Sequence, residues 1–313
     1  MKGIELCESY FKEYGLPMLQ EQFPEVLPFL AAGVCGPGSE NSGYDDEISR
    51  DHDFEPGFLL FLPGEEIVDR RTAFLLERAY AKLPKQWQGV ERTVMEPVGG
   101  ARHGVVRTGE FFRERCGTEN GELSLREWLS VPDYALIEVT NGALFLDNYG
   151  EVSRIRQNLE YYPEDVRLKK LAGRLLLMAQ SGQYNYHRCL QHGETAAAQL
   201  AVCEFVRSAM SAIFLLNRRY EPFYKWSFRA LRELPLLSGE AGPLEMLITT
   251  GVEGDLAEEK YYAIEGIAAD VIDVLFDQGI TKANCGDLEK HAYSVEDGIG
   301  DPGLRNDHIL AAV

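Results

Sequence analysis

Asp51 and Asp53 stand two residues apart in the run Arg50-Asp-His-Asp-Phe54. On an extended strand, residues two apart project from the same face, so this spacing presents two carboxylates side by side. Two hard oxygen ligands, completed by phosphate oxygens and water, are the usual protein share of an octahedral Mg2+ site, with Mn2+ as the substitute ion. Upstream, the apolar run Phe29-Leu-Ala-Ala-Gly-Val-Cys35 stops at Gly36-Pro-Gly38-Ser39, and eleven residues separate Ser39 from Asp51. A glycine-rich turn after a strand offers backbone N–H groups to a phosphate, and Ser39 adds a hydroxyl. These are the parts needed for metal-assisted attack at a nucleotide phosphorus, where positioning and charge neutralisation supply most of the rate.

The same pattern, an apolar strand, Gly38-Ser39, then Asp51-x-Asp53, resembles the DNA polymerase beta-like nucleotidyltransferase superfamily. More narrowly, the run from Gly38-Ser-Glu through Gly43-Tyr-Asp-Asp-Glu-Ile-Ser-Arg-Asp-His-Asp-Phe54 resembles a bacterial family called domain of unknown function 4037. Further along, Tyr161-Tyr-Pro-Glu-Asp165, Gly182-Gln-Tyr-Asn-Tyr-His-Arg188 and Leu216-Asn-Arg-Arg-Tyr-Glu-Pro-Phe-Tyr-Lys-Trp226 share in that likeness. The resemblance implies a nucleoside triphosphate as substrate and Asp51 and Asp53 as catalytic metal ligands. It implies Gly38 and Ser39 on the nucleotide, and an α+β fold: a mixed sheet with helices, then an all-α domain. The antibiotic nucleotidyltransferases share this layout, and their helical half helps to close the active site.

Active members of the superfamily carry a third carboxylate on a neighbouring strand, and the stretch Gly104-Val-Val-Arg-Thr108 has none. The candidates are Glu110, Glu138 and Asp147. We select Asp147 as the third catalytic residue, because it ends a strand near the expected domain junction, where clefts form. The competing reading is a turn aspartate before Asn148-Tyr-Gly150. Glu55-Pro-Gly57 interrupts the strand that bears Asp51 and Asp53, which predicts a bulge. Asp45, Asp46 and Glu47 read as a solvated acidic loop. His52 faces away from the two aspartates, and Arg50 suits a phosphate or a surface ion pair equally.

A triphosphate needs cations, and Arg218, Arg219 and Lys225 cluster around Asn217 and Pro222, which break the helix there. Lys225 beside Trp226 is assigned to the nucleotide phosphates as a point charge, against the alternative of a lysine lying over aromatic surface. Gln183, Asn185, His187 and Arg188 form a second polar cluster suited to a pocket wall.

The elements that must position these residues follow from periodicity. Residues 4–23 read as a helix that Pro17 kinks or splits. Strands are expected over 29–35, through 51–54 and 57–62, over 104–106 and over 143–146, with helices over 68–83 and 124–129. Beyond residue 150 the pattern is helical: 151–159, 165–180, 196–216, 225–234 and 261–278. In the third of these, Val202, Phe205, Val206, Ala209, Met210, Ile213 and Leu216 make one apolar stripe, read as core. The tail after Cys285, rich in Gly, Asp and Asn, is expected to be loosely ordered up to a short helix over 305–312. The predicted domains are 1–150, nucleotidyltransferase-like, and 151–313, helical.

Composition bounds what the site can serve. The chain has 313 residues, 45% hydrophobic and 26% charged, an ordinary globular balance. With 31 Lys and Arg against 50 Asp and Glu, its formal net charge of −19 opposes nucleic-acid partners, which are held through phosphates. Six scattered cysteines show no zinc-ligand spacing and fit reduced thiols. No apolar run is long enough to span a bilayer, and the acidic N-terminus does not suit a signal peptide, so a soluble cytoplasmic protein is expected. Two functions fit. One is an enzyme that moves a nucleotidyl group, AMP by preference, to a hydroxyl of a small molecule or protein. The other is a catalytically degenerate nucleotide-binding or regulatory module.

Overall fold

The computed structural model describes residues 2–48, 55–91 and 103–313. It is an α+β protein whose chain divides into two compact units. The first comprises residues 1–123 and 135–160, and the second 124–134 and 161–313.

The first unit opens with one helical stretch in three phases. α1 (Gly3–Tyr10) widens into a π-turn at Phe11–Gly15 and resumes as α2 (Leu16–Gln22). Pro17 lies in the first turn of α2. The widened turn supplies the break that a proline ring demands, so the sequence signal for a kink becomes a π-turn. β1 (Ala31–Val34), β2 (Leu59–Leu62) and α3 (Arg70–Ala81) follow, then a two-stranded hairpin of β3 (Gln86–Trp87) and β4 (Val90–Glu91). β5 (Gly104–Arg107) runs directly into α4 (Thr108–Cys116).

α5 (Leu125–Ser130) belongs to the second unit, and the division falls inside α6 (Asp133–Thr140). β6 (Ala143–Asp147) and α7 (Glu151–Asn158) complete the first unit. Its sheet has the order β5-β2-β1-β6, with β1 antiparallel to both neighbours and β5 parallel to β2.

All four residues of β2 are buried. Leu60 and Leu62 join Tyr10, Phe11, Leu19 and Leu76 in one core cluster, while Phe61 meets Phe111 of α4 edge-on at 5.1 Å. A strand covered on both faces reads as an unbroken apolar run, which is the pattern of Phe58-Leu-Leu-Phe-Leu62. The strand begins at Leu59, later than the sequence pattern suggests. Ahead of it the Tyr80 hydroxyl donates to Phe58 O at 2.8 Å and accepts from Phe58 N at 3.1 Å. The strand segment expected through 51–54 lies outside the described residues, and with it one arm of the bulge expected at Glu55-Pro-Gly57. The β1–β2 ladder is regular over Leu59–Phe61, and the β1–β6 ladder shifts register between Ala32 and Gly33.

The second unit is helical. α8 (Glu164–Met178) continues through a π-helical segment (Ala179–Tyr186) into α9 (His187–Gln191). α10 (Thr195–Leu216) packs against α8, α12 (Ala241–Thr249) and α13 (Asp255–Asp277), with α11 (Tyr224–Leu231) between α10 and α12 in sequence. Val202, Val206, Met210, Ile213 and Leu216 are all buried. Among the described residues α10 alone is long and apolar enough to cross a membrane, and 67% of its apolar window is buried inside the protein, as a core helix requires.

The tail departs from expectation. Instead of a loose segment it forms α14 (Leu288–Asp297) and α15 (Pro302–Asn306). Leu288, Ala292 and Val295 are fully buried, and Asp165 accepts from the amides of Gly300 and Asp301 at 2.9 and 2.8 Å. A Gly- and Asp-rich composition here serves helix caps and turns, with Asp287 and Asp301 as N-caps.

Candidate active site

β1 delivers the chain to the glycine turn. Gly36 and Gly38 hold φ of 120° and 129°, a backbone region open to glycine and strained for other residues. The turn is clamped from behind by the corner between α6 and β6. Gly36 N donates to Asn141 Oδ1 at 3.0 Å, and Asn141 Nδ2 returns a bond to Gly36 O at 2.9 Å. Gly142 N donates to Asn41 O at 3.0 Å. At Gly142, with φ of 66°, a Cβ would collide with the Val34 carbonyl, so only glycine lets the two strands approach. Arg156 of α7 then donates to Asn141 O at 2.9 Å, and its charge acts on the Cys35 thiol. Burial is the larger effect and raises the Cys35 pKa, leaving an inert thiol. Past the turn, Ser39 O accepts from Ser42 N and Tyr44 N, at 3.2 and 2.8 Å.

Asp45 is no part of a solvated loop. It is buried, accepting from Gly3 N at 3.0 Å and pairing with Lys2 at 3.1 Å, so it ties this loop to the start of α1. A short polar run reads as solvated in a sequence because the sequence does not show which amide will come to meet it.

Asp51 and Asp53 lie outside the described residues, as do Arg50 and His52. The chain re-enters description at Glu55, whose Oε1 lies 3.1 Å from His103 Nδ1, both side chains largely buried. His103 immediately precedes β5, and Gly104 N donates to Phe58 O at 2.9 Å. Gly57 underlies the imidazole, where a Cβ would fall within 2.6 Å of Nδ1. Sequence reading passed over this pair. The one available signal was a histidine and a glutamate each beside a strand start, which is too common to single out.

Register decides which candidates share an end of the sheet. Gly33 is opposite Leu59, and Leu59 is opposite Gly104, so the Gly36–Ser39 turn, the approach to β2 and His103 belong to one end. Asp147 is opposite Ala31, at the other end of β1. Its Oδ1 accepts from Gly150 N at 3.0 Å and its Oδ2 from Ser153 N at 2.7 Å, both at the start of α7. Glu110 and Glu138 line a recess of about 500 Å3 beside the Val105–Arg107 half of β5, together with Glu77, Glu114 and Arg115. The structure therefore does not bring Asp147 to Gly38 and Ser39.

In the second unit, Arg218 pairs with Glu164 at 2.7 Å, and Lys225 Nζ sits 4.9 Å from the centre of the Trp226 ring. Gln183 and Asn185 line a cavity of about 630 Å3 with Tyr184, Gly286, Asp287 and Glu289, while Gln183 itself is anchored by Glu265, Gly286 O and Leu288 N. His187 is hydrogen-bonded to Gln191 at 2.8 Å. Among the described residues no group of three or more His, Cys, Asp or Glu is arranged to hold a metal ion.

The architecture is thus an α+β unit built on a four-stranded mixed sheet, joined in sequence to a helical unit. Residues 128–227 match the family model described as a domain of unknown function, DUF4037, the family whose likeness the sequence motifs carry. Among solved structures, the chain is similar to a nucleotidyltransferase-like protein from Exiguobacterium sibiricum at 11% identity, covering 91% of this chain and 81% of that one, with a TM-score of 0.40. No curated protein matches it.

Proposed function

We propose that the chain is a metal-dependent nucleotidyltransferase that moves AMP from ATP to a hydroxyl of a small molecule or a protein side chain. The observation that carries the reading is the register of β1 and β2. It sets the Gly36–Ser39 turn at the same end of the sheet as Glu55 and the approach to β2. Asp53 and Asp51 precede Glu55 by two and four residues in the sequence. The donor set is two carboxylates without thiols, which fits a hard ion such as Mg2+ or Mn2+.

Asp51 and Asp53 would hold that ion, which when bound neutralises charge on the phosphate oxygens. The Gly38 and Ser39 amides and the Ser39 hydroxyl would hold a phosphate in place, in a turn fixed by Asn141, Asn41 and Gly142.

A second reading, a degenerate nucleotide-binding or regulatory module, has one specific observation in its favour: β5 carries no acid, and Asp147 caps a helix at the other end of the sheet.

Thermal unfolding with ATP, with and without Mg2+, tests the common core of both readings. ATP with Mg2+ should raise Tm, since a ligand of the native state stabilises it. Asp51→Asn or Asp53→Asn should remove that rise while leaving the unliganded Tm unchanged. No stabilisation by any nucleoside triphosphate would end both readings, and pyrophosphate release in the presence of an acceptor would separate enzyme from module.

A further inference from the structure

β5 is an edge of the first unit's sheet, with β2 on one side and no strand on the other. Gly104 N donates to Phe58 O at 2.9 Å, so Gly104 and Val106 turn their backbone groups toward β2. Successive residues of a strand alternate in that direction, which leaves the N–H and C=O of Val105 and the N–H of Arg107 pointing away from the sheet. None of these three groups meets a protein partner among the described residues. A row of unpaired strand groups is a template on which another extended chain can pair.

The edge opens into the recess of about 500 Å3, which α3 and α4 flank. Val105 packs on the core cluster on the α3 side, while Phe61, opposite Val106 in the ladder, meets Phe111 on the α4 side. Ala73 and Glu77 of α3 form one wall, and Glu110, Phe111 and Glu114 of α4 the other. A strand added to β5 would run between the two helices, its side chains directed alternately to each.

The walls set the chemistry of the occupant. Glu77, Glu110 and Glu114 make no hydrogen bond or ion pair among the described residues. The two cations of the recess are already committed to the protein. Arg107 donates to Pro63 O and Val68 O at 2.6 and 2.7 Å, and Arg115 lies over the Phe111 ring at 3.9 Å. Unpaired carboxylates on both walls, with an unpaired strand edge between them, complement a chain that is extended and basic. A second copy of this protein is a poor occupant, since edge-to-edge pairing would set these carboxylates against their own counterparts.

We propose that the outer edge of β5 docks an extended, lysine- or arginine-rich segment of a partner protein as an added strand, with Glu77 on one side and Glu110 and Glu114 on the other receiving its basic side chains. Backbone bonds to Val105 and Arg107 give affinity for an extended chain, and the carboxylates select a basic one. All these residues belong to the first unit and the nucleotide reading uses none of them, so the proposal stands apart from that reading.

The test is fluorescence anisotropy of the full chain with a labelled, end-blocked heptapeptide of alternating lysine and threonine, and with the same peptide N-methylated at every amide. Methylation keeps the charge and removes the N–H donors. The parent should bind the first peptide, and the second about tenfold more weakly. Glu77→Gln, Glu110→Gln and Glu114→Gln combined should weaken the first peptide about tenfold, as three exposed ion pairs lost together would. Glu253→Gln, Glu258→Gln and Glu259→Gln, an equal change of charge at exposed positions of the second unit, should leave its Kd within about twofold. Circular dichroism and Tm of the variants check that they fold.

Equal weakening by the two triple variants overturns the proposal, because the overall charge of −19 would then be what holds the peptide. Equal affinity for the methylated peptide also overturns it, since the contact would be electrostatic without strand pairing. A parent that binds neither peptide does the same, and self-association of the Glu77, Glu110 and Glu114 triple variant in sedimentation would then assign those carboxylates to keeping the edge unpaired.

Discussion

The Ser153 amide donates to Asp147 Oδ2 at 2.7 Å, so the carboxylate at the end of β6 closes the first turn of α7. A residue two positions before Ser153, Glu151, has its pKa raised chiefly by burial, with Thr108 opposing through a hydrogen bond. The end of β6 is therefore a polar corner in which Asp147 satisfies two amides. Asp147→Ala should cost about 1 kcal/mol of stability, the usual loss for a helix cap. Asp147→Asn, whose single amide oxygen can accept from one of the two N–H groups, should lose less stability than Asp147→Ala and keep the Mg2+-dependent response to ATP. Loss of that response in the Asn variant, at unchanged Tm, would instead place Asp147 on the metal.

Gly182 lies in the π-helical segment where α8 passes under α10 and α13. A Cβ there would collide with the Phe205 ring and approach Ile264 Cγ2 at 2.8 Å. Phe205 and Ile264 are both fully buried, so neither can swing into solvent. Gly182→Ala should destabilise the protein by about 1–3 kcal/mol, as overpacking does. Adding Phe205→Leu should recover part of the loss in urea titrations, and strict additivity of the two changes would show that the sites do not touch.

The tail is held by a buried ion. Lys169 is fully buried, with Nζ 2.5 Å from Glu296 and 2.7 Å from Asp307 O. Glu296→Ala leaves that ammonium without its carboxylate and should cost about 3–5 kcal/mol. Replacing both, as Lys169→Met with Glu296→Leu, should restore most of the stability. If Glu296→Ala alone is neutral in urea unfolding, the pair does not hold the tail.

Glu221 should give stability a pH dependence. Burial first, and then the charge of Asp133, raise its pKa from 4.5 to about 7, against the opposing effects of Arg174, the Ser211 hydroxyl and Arg207. The folded state therefore holds a proton that the unfolded chain releases near 4.5. This contribution is fully present below pH 4.5 and is lost as pH rises through about 7, an effect on the order of 3 kcal/mol. Glu221→Gln, which keeps the hydrogen bonds of a neutral side chain, should flatten the stability profile between these limits. A parent profile already flat there would refute the assignment.

Local pattern was enough for most elements. The apolar stripe of α10, the unbroken run of β2 and the proline in the first helical stretch each carry their structure in nearest-neighbour chemistry: helical periodicity, two-sided burial and a missing N–H. The glycine turn after β1 was legible for the same reason, since only glycine is easily placed at φ of 120° and 129°.

Tertiary structure decided what depends on residues far apart in sequence. Asp147 is a good strand-end carboxylate in one dimension, and only the pairing of Ala31 with it shows which end of the sheet it occupies. Asp45 found an amide 42 residues away, Glu55 a histidine 48 residues away, and the polar tail a groove along α8. The π-helical segment at Ala179–Tyr186 had no sequence signature of its own, and within it Gly182 passes close beneath Phe205, a contact between residues far apart in the chain. Sequence specifies the period and chemistry of each element. Which side chains meet is set by register and packing, which are properties of pairs and appear only once the chain has closed on itself.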